Sequence, residues 1–318
     1  MLTLDTLAAQ DVFVCPRCKS AIIVQQPDWR CSNTGCKYAE DAFPVVSGLP
    51  ALVDFDNSVL DIDRLRATEG ASVVERGRRL PRPLRRLVEG QNRIAPVAVS
   101  RMLQLLRADA ASPDKRLRIL VIGGGVIGSG LDSLYDDSTI DLIGFDIYAS
   151  PVVQLIADGH SIPLADGSVD GVIIQAVLAY VREPWVVAAE IHRVLRSDGI
   201  VFAATPFMQQ VSEGPYDFTR FTAYGLQSLF NRFERLESGA ISGAGTALRW
   251  SLGYFARALT RSVAVGSLVQ LCFFWLRYLD EILDSGQSLD GATGVYLLGR
   301  KAVATAIQDQ RASTDRIT

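Results

Sequence analysis

The chain has 318 residues, 48% of them hydrophobic and 21% charged, with 32 Lys and Arg against 35 Asp and Glu for a net charge of −3. That apolar share excludes a disordered polymer, and at about 100–200 residues per domain the length accommodates two domains, or one with an appendage. The weak negative charge argues against broad capture of nucleic acid or anionic membrane, which needs a basic field, though not against a local basic patch.

The N-terminus, MLTLDTLAAQDVFVC, has no basic start and no apolar run of signal length, so the expected location is cytoplasmic. Four of the five cysteines fall within the first 36 positions, as Cys15-Pro-Arg-Cys18 and Cys31-Ser-Asn-Thr-Gly-Cys36. A two-residue gap lets one tight turn aim both sulfurs at a point, and Asn33 and Gly35 give the second pair a turn of its own. Four thiolates complete a tetrahedral site, for which structural zinc is the default metal. Two disulfides or a redox-active pair are the competing readings, and neither accounts for the second, wider spacing. The intervening AIIVQQPDW reads as a hairpin.

The layout CPxC, CxxxxC, then FPVVSGLPALV at 43–53 resembles the zinc-ribbon module fused to, or partnered with, many methyltransferases. Residues 1–53 are therefore expected to form a zinc ribbon. Residues 54–116 follow as a helical, arginine-rich connector, interrupted by Pro81 and Pro83. Its densest run, RGRRLPRPLRR at 76–86, is either a solvated helix face or an anion-binding surface.

From Leu117 the pattern becomes α/β. Arg118–Ile122 is a buried strand running into Gly123-Gly-Gly-Val-Ile-Gly-Ser-Gly130, and a helix starts at Leu131. Glycine there lets backbone approach a ligand that a Cβ would block, although dehydrogenases share the feature. Strand two runs from Ile140 to Asp146, whose position at the carboxyl tip suits ribose hydroxyls. Strand three is expected over 153–157, strand four up to Ile174, a helix over 185–195, a turn at 197–199 and strand five over 199–205.

The segments Asp158…Ile162-Pro163…Asp166-Gly-Ser-Val-Asp170 and Leu178-Ala-Tyr-Val181…Pro184…Glu190-Ile-His-Arg193-Val-Leu resemble the small-molecule (type 11-like) branch of class I S-adenosylmethionine (SAM)-dependent methyltransferases. The resemblance implies a Rossmann-like, seven-stranded α/β sheet with its last strand antiparallel. SAM would lie across the tips of strands one to four. Gly123 and Gly125 would flank its methionine part, Asp146 and Ile147 its ribose, and Asp158 and Gly159 its adenine. Gln175 would border the sulfonium. Val121 stands where the family usually has an acid.

Beyond strand five, Glu213, Tyr216, Asp217 and Arg220 gather in the loop QQVSEGPYDFTRFT. "YDFTRFT" resembles the acceptor loop of bacterial methyltransferases of polysaccharide and secondary-metabolite pathways. Glu213, Tyr216 and Arg220 are thus the expected acceptor-binding residues, and His160 and Asp217 the candidate bases for an alcohol. Strands six and seven are expected at 233–242 and 294–301. A helical insertion at about 244–285 lies between them, and its most apolar part, Val263–Leu276, is too short to span a bilayer. The insertion could cap the acceptor site, form a homodimer face or touch a membrane surface, with core or dimer packing the favoured expectation. The methyltransferase domain is taken as 117–306 and the remainder, 307–318, as a flexible tail.

The function expected is methyl transfer from SAM to a small-molecule or saccharide-linked acceptor, most readily at oxygen. An RNA base methyltransferase with a zinc-ribbon RNA reader, or a non-catalytic SAM-binding regulator, remain the alternatives. The net acidity and the Gln-Ala-Val-Leu after strand four speak against RNA.

Overall fold

The computed structural model describes residues 3–8, 10, 12–25, 27–72, 92–110, 112, 115–212, 214–282 and 288–302. The arginine run at 76–86, Glu213 and the tail at 307–318 lie outside the described residues.

The ribbon begins with a short helix α1 (Leu4–Ala8), then a hairpin of β1 (Ile22–Gln25) and β2 (Asp28–Cys31), helix α2 (Lys37–Glu40) and a second hairpin of β3 (Val45–Val46) and β4 (Leu49–Pro50). Trp29, Tyr38 and Phe43 give it a small aromatic centre, with Tyr38 stacked on Phe43 at 4.2 Å. That centre does not stand apart. Phe13, Trp29, Phe43 and Leu52 share one continuous apolar cluster with Leu120 and Ile122 of the main sheet and Leu164 of the loop before its strand 169–175. The connector supplies α3 (Ile62–Ala67), capped by Asp61, and α4 (Ile94–Ala108). Asn92 closes the start of α4 by accepting from the Ile94 and Ala95 amides. Its apolar stripe, including Ala98, Met102 and Leu106, covers one face of the sheet.

The main sheet has seven strands. They are β5 (Leu117–Ile122), β6 (Ile140–Asp146), β7 (Leu155–Ile156), β8 (Val169–Gln175), β9 (Leu195–Pro206), β10 (Phe233–Ser242) and β11 (Gly294–Lys301), in spatial order β10-β11-β9-β8-β5-β6-β7. β5 pairs parallel with β6 and β8, β8 with β9, and only the last strand, β11, runs against both its neighbours. The fold class expected from the sequence is the one found. Parallel strands buried on both faces need continuous apolar runs, and Ile119, Leu120, Ile173 and Ile174 supply them.

Two local readings need correction. Strand three is only two residues long, because the Gln154 side chain takes over its ladder. Its amide oxygen accepts from the Gly144 amide at 2.6 Å, and its nitrogen donates to the Leu142 carbonyl at 3.1 Å. The turn at 197–199 is a bulge within β9, with Asp198 at φ 62° and a register shift opposite Val169 and Gly171. The short β7 edge is not left open, since Ala51 of the ribbon exit bridges Ile156 in parallel.

Helices α5 (Asp132–Asp136), α6 (Pro184–Val194) and α7 (Ala223–Leu229) complete the layers. The insertion folds as α8 (Ala244–Thr260), α9 (Val263–Cys272) and α10 (Leu276–Leu279). No helix among the described residues is long and apolar enough to cross a membrane.

Candidate active site and cysteine cluster

The four cysteine sulfurs converge as their spacing predicts. Their Sγ atoms all lie within 4.8 Å of one another, with Cys15 3.8 Å from Cys36 and Cys18 3.4 Å from Cys31. Four sulfurs bound tetrahedrally at the usual zinc distance sit about 3.8 Å apart, so the donor set and spacing fit zinc. Burial pushes the Cys15 thiol up and the Cys31 thiol up to about 11. Burial also opposes ionisation of Cys18, but hydrogen bonds from Ser20 bring it down to about 6. Three of the four are buried, and four thiolates fill a tetrahedral site with no ligand position left for chemistry, which is the arrangement of a structural site.

The second centre lies at the carboxyl ends of β5, β6 and β8. Gly123 leaves β5 at φ 73°, a conformation that favours glycine, and turns the chain beneath Val177. Two residues on, a Cβ at Gly125 would stand 2.5 Å from the Tyr148 hydroxyl and 2.7 Å from Asp146 Oδ2, so a side chain here would have to push both groups out of place. The Asp146 carboxylate is fixed by two amides, from Gly125 at 2.8 Å and Ile147 at 2.7 Å. Ser150 ties the loop down by donating to the Gly125 carbonyl at 2.7 Å. On the other side, Gln175 ends β8, and its buried side-chain oxygen has no hydrogen-bond partner among the described residues. The next residue, Ala176, takes φ 56°, a strained choice for a residue with a Cβ. A cradle that rejects side chains, a fixed carboxylate and an orphaned acceptor fit an adenosyl donor of the SAM type.

Asp158 and Gly159 follow β7. Asp158 is buried, and its carboxylate accepts from the His160 amide at 2.9 Å, from His160 Nδ1 at 2.6 Å and from the Ser58 hydroxyl at 2.5 Å. Burial would raise this carboxyl, but the bonds from His160 and Ser58 hold it below the usual range. The same bond raises His160, whose Nε2 accepts from the Glu183 amide at 3.3 Å. Gly159 opens the short 3-10 turn Gly159–Ser161 against Val187 and Ile122.

Beyond β9, the loop that follows is pinned to the turn between β8 and α6, since the Phe218 and Thr219 amides both donate to the Ala179 carbonyl. A cavity of about 550 Å³ opens here, lined by Gln209, Gln210, Asp217, Thr219, Arg220 and, from α8, Tyr254. Asp217 and Arg220 form a two-pronged ion pair, one prong at 2.7 Å, and Asp217 also accepts from the Ser212 amide at 2.9 Å. Arg220 further donates to the Gln209 carbonyl at 3.1 Å. Gln210 donates to Ser251 at 3.2 Å while its buried oxygen has no partner among the described residues. Tyr216 is half-buried at the end of the 3-10 turn Gly214–Tyr216, outside the cavity lining.

Three residues of the site escape the sequence: Ser58, Tyr148 and Gln210. Ser58 sits in an ordinary polar stretch and reaches Asp158 only because the ribbon exit folds back over β7. Tyr148 carries a readable signal, two positions beyond the strand-two acid and facing a bare glycine. Gln210 carries none. Elsewhere, Glu190 and Arg193 are paired at 2.7 Å, and His192 packs edge-on against Phe233.

Residues 121–203 match the family described as a methyltransferase domain. The stretch spans β5 to β9 and both the glycine turn and Asp146. No curated protein sequence matches the chain. Among solved structures, the [4+2]-cyclase SpnF is 19% identical, over 64% of this chain and 81% of that one, with a TM-score of 0.39. Phosphoethanolamine N-methyltransferase 2 of Haemonchus contortus, solved with SAM, is 14% identical over 69% of this chain and 56% of that one, with a TM-score of 0.41. The CurJ carbon methyltransferase is 11% identical over 68% and 55%, with a TM-score of 0.45. The matched stretch sets the class: residues 121–203 are similar to a methyltransferase domain. A four-cysteine cluster lies on the N-terminal side of that stretch.

Proposed function

We propose that the protein moves the methyl group of SAM to a small-molecule or saccharide-linked acceptor held in the cavity beside β9, most readily at a hydroxyl oxygen. The observation that carries this reading is the cavity of about 550 Å³, on whose wall the buried Gln210 oxygen finds no donor among the described residues. A buried acceptor without a partner costs about 1–3 kcal/mol, which an entering hydroxyl would recover. The volume suits a ligand of sugar size.

The sulfonium of SAM brings an already activated methyl group. The protein's share is to align the nucleophile and keep water out. The Asp217–Arg220 pair sets the wall of the cavity, and Arg220 holds the loop through the Gln209 carbonyl. His160 has both ring nitrogens engaged, so we read it as a brace for Asp158 and the cofactor loop rather than as the base. Asp217 could take a hydroxyl proton only after releasing Arg220, so its first role is positioning. The arginine run on which an RNA reading would lean lies outside the described residues.

The test is transfer of a tritiated methyl group from SAM into a cell extract, fractionated into RNA, saccharide and lipid-extractable pools. Label in the saccharide or lipid pool, lost in Arg220→Ala, supports the proposal. Label confined to RNA overturns it.

A further inference from the structure

Between Glu237 and Asp280 the chain has no acidic residue, although it carries 35 of them in all. The only charges in that stretch are Arg249, Arg257, Arg261 and Arg277. Arg249 is buried, whereas Arg257 and Arg261 are exposed at the junction of α8 and α9. The two helices cross closely, because a Cβ on Gly266 would lie 2.7 Å from the Gly253 carbonyl oxygen. This tight seam turns large apolar side chains outward.

Leu248, Phe255 and Leu259 fall on one stripe of α8 by their spacing of seven and four, and Phe255 and Leu259 are 68% and 73% exposed. Leu268 and Leu271 on α9 and Trp275 beyond it are exposed as well. The two described acids that follow this stretch directly in the sequence are engaged with other partners. Asp280 caps the start of α8 through the Gly245 and Thr246 amides, and Glu281 is paired with Arg93. Arg257 and Arg277 lie over the rings of Tyr254 and Tyr278.

We propose that the α8–α9 hairpin is a docking surface for an anionic lipid bilayer, on which it lies flat. An apolar face flanked by arginines and aromatic side chains is the pattern of an interfacial helix, and neither helix is long enough to cross. The charge pattern disfavours a second copy of the chain as occupant. In a two-fold dimer the patch meets itself, so Arg257 and Arg261 would face arginines with no carboxylate of the patch to pair with. Anionic headgroups supply that missing charge.

Tyr254 belongs both to this hairpin and to the cavity wall. Docking therefore sets the cavity at the headgroup layer, where acceptors carried on a lipid are presented. This corollary rests on the reading of the cavity given above, while the docking surface does not.

The experiment uses the full chain without methyl donor, floated with phosphatidylglycerol–phosphatidylcholine vesicles and with phosphatidylcholine vesicles alone. Binding only to the anionic vesicles, weakened by salt and with a blue-shifted tryptophan emission, is expected. Arg257→Glu with Arg261→Glu should lower the partition at least about fivefold per arginine, and Leu268→Glu with Leu271→Glu should abolish it. These side chains are exposed, so both variants should keep the wild-type melting temperature and SAM affinity. Absence of binding to anionic vesicles overturns the proposal. So does a wild-type dimer in light scattering that the leucine variant splits, which would make a second copy the occupant.

Discussion

Lys19 reaches from the first cysteine turn to Glu190 on α6, with 3.0 Å between its ammonium and the carboxylate, and to the Ser161 hydroxyl at 2.8 Å. Ser161 donates in turn to the Pro16 carbonyl at 2.5 Å, and Glu190 accepts from the Ile162 amide at 2.8 Å. The cysteine turn and the Asp158–Ile162 loop are thus one clamped unit. Phe13 adds an antiparallel bridge to Leu164. What the cluster holds in place is the loop that carries Asp158 and Gly159, which we propose meets the adenine of the donor.

Removing the metal should therefore cost more than the ribbon. The wild-type protein is expected to carry about one zinc per chain. Chelation should expose the Asp158–Ile162 amides to hydrogen exchange and weaken SAM binding about tenfold, the equivalent of 1.4 kcal/mol. Calorimetry on chelated and zinc-restored protein checks this. Equal SAM affinity in both would show that the clamp does not reach the crevice.

His192 predicts a pH dependence separate from the site. Burial, then the nearby Arg232 and Lys301, push its imidazole down to about 4, against 6.5 when unfolded. A folded value below the unfolded one means that its contribution is complete above pH 6.5 and is lost as pH falls toward 4. Because the ring is only half-buried, the loss should be about 1–2 kcal/mol rather than the full linkage value. His192→Phe, which keeps the contact with Phe233, should flatten that window in denaturant melts. An unchanged slope would assign the acid sensitivity to other groups.

Asp146→Ala should weaken SAM binding by about 1–3 kcal/mol, since the Gly125 and Ile147 amides lose their acceptor along with the ribose. Folding should change little, because the carboxylate stands at the open end of β6. Titration calorimetry separates the two effects, and wild-type affinity in the variant would mean that the crevice lies elsewhere.

Much of this was legible in the sequence because it depends on local pattern. Apolar runs such as Arg118–Ile122 and Ile140–Phe145 sit on parallel strands, and strands 233–242 and 294–301 fall where alternation placed them. The four thiols converge because their spacing allows little else. What was not legible depends on chain segments meeting across long separations. No local feature of Gln154 announces that its amide will stand in for a strand ladder. Ser58 meets Asp158 across 100 residues. The pairing of Asp217 with Arg220, three residues apart, is local and was legible, whereas the placing of Gln210 on a cavity wall depends on α8, whose position the sequence does not encode locally.

The two glycines of the β5 turn should separate stability from cofactor binding. At Gly123 the backbone is left-handed and an added Cβ would lie 2.2 Å from a Val177 methyl, within packed surroundings. Gly123→Ala should therefore destabilise the fold by about 2–4 kcal/mol through strain and overpacking together. At Gly125 no left-handed angle is required, and the atoms in the way are the far ends of Tyr148 and Asp146, which can swing aside. Gly125→Ala should keep a melting temperature within a few degrees of wild type. In swinging aside, however, Asp146 leaves the Gly125 amide, so SAM affinity should fall about as far as in Asp146→Ala. A Gly125→Ala protein that binds SAM normally would show that the turn is built for folding alone, and a Gly123→Ala protein with unchanged stability would remove the steric reading of the turn.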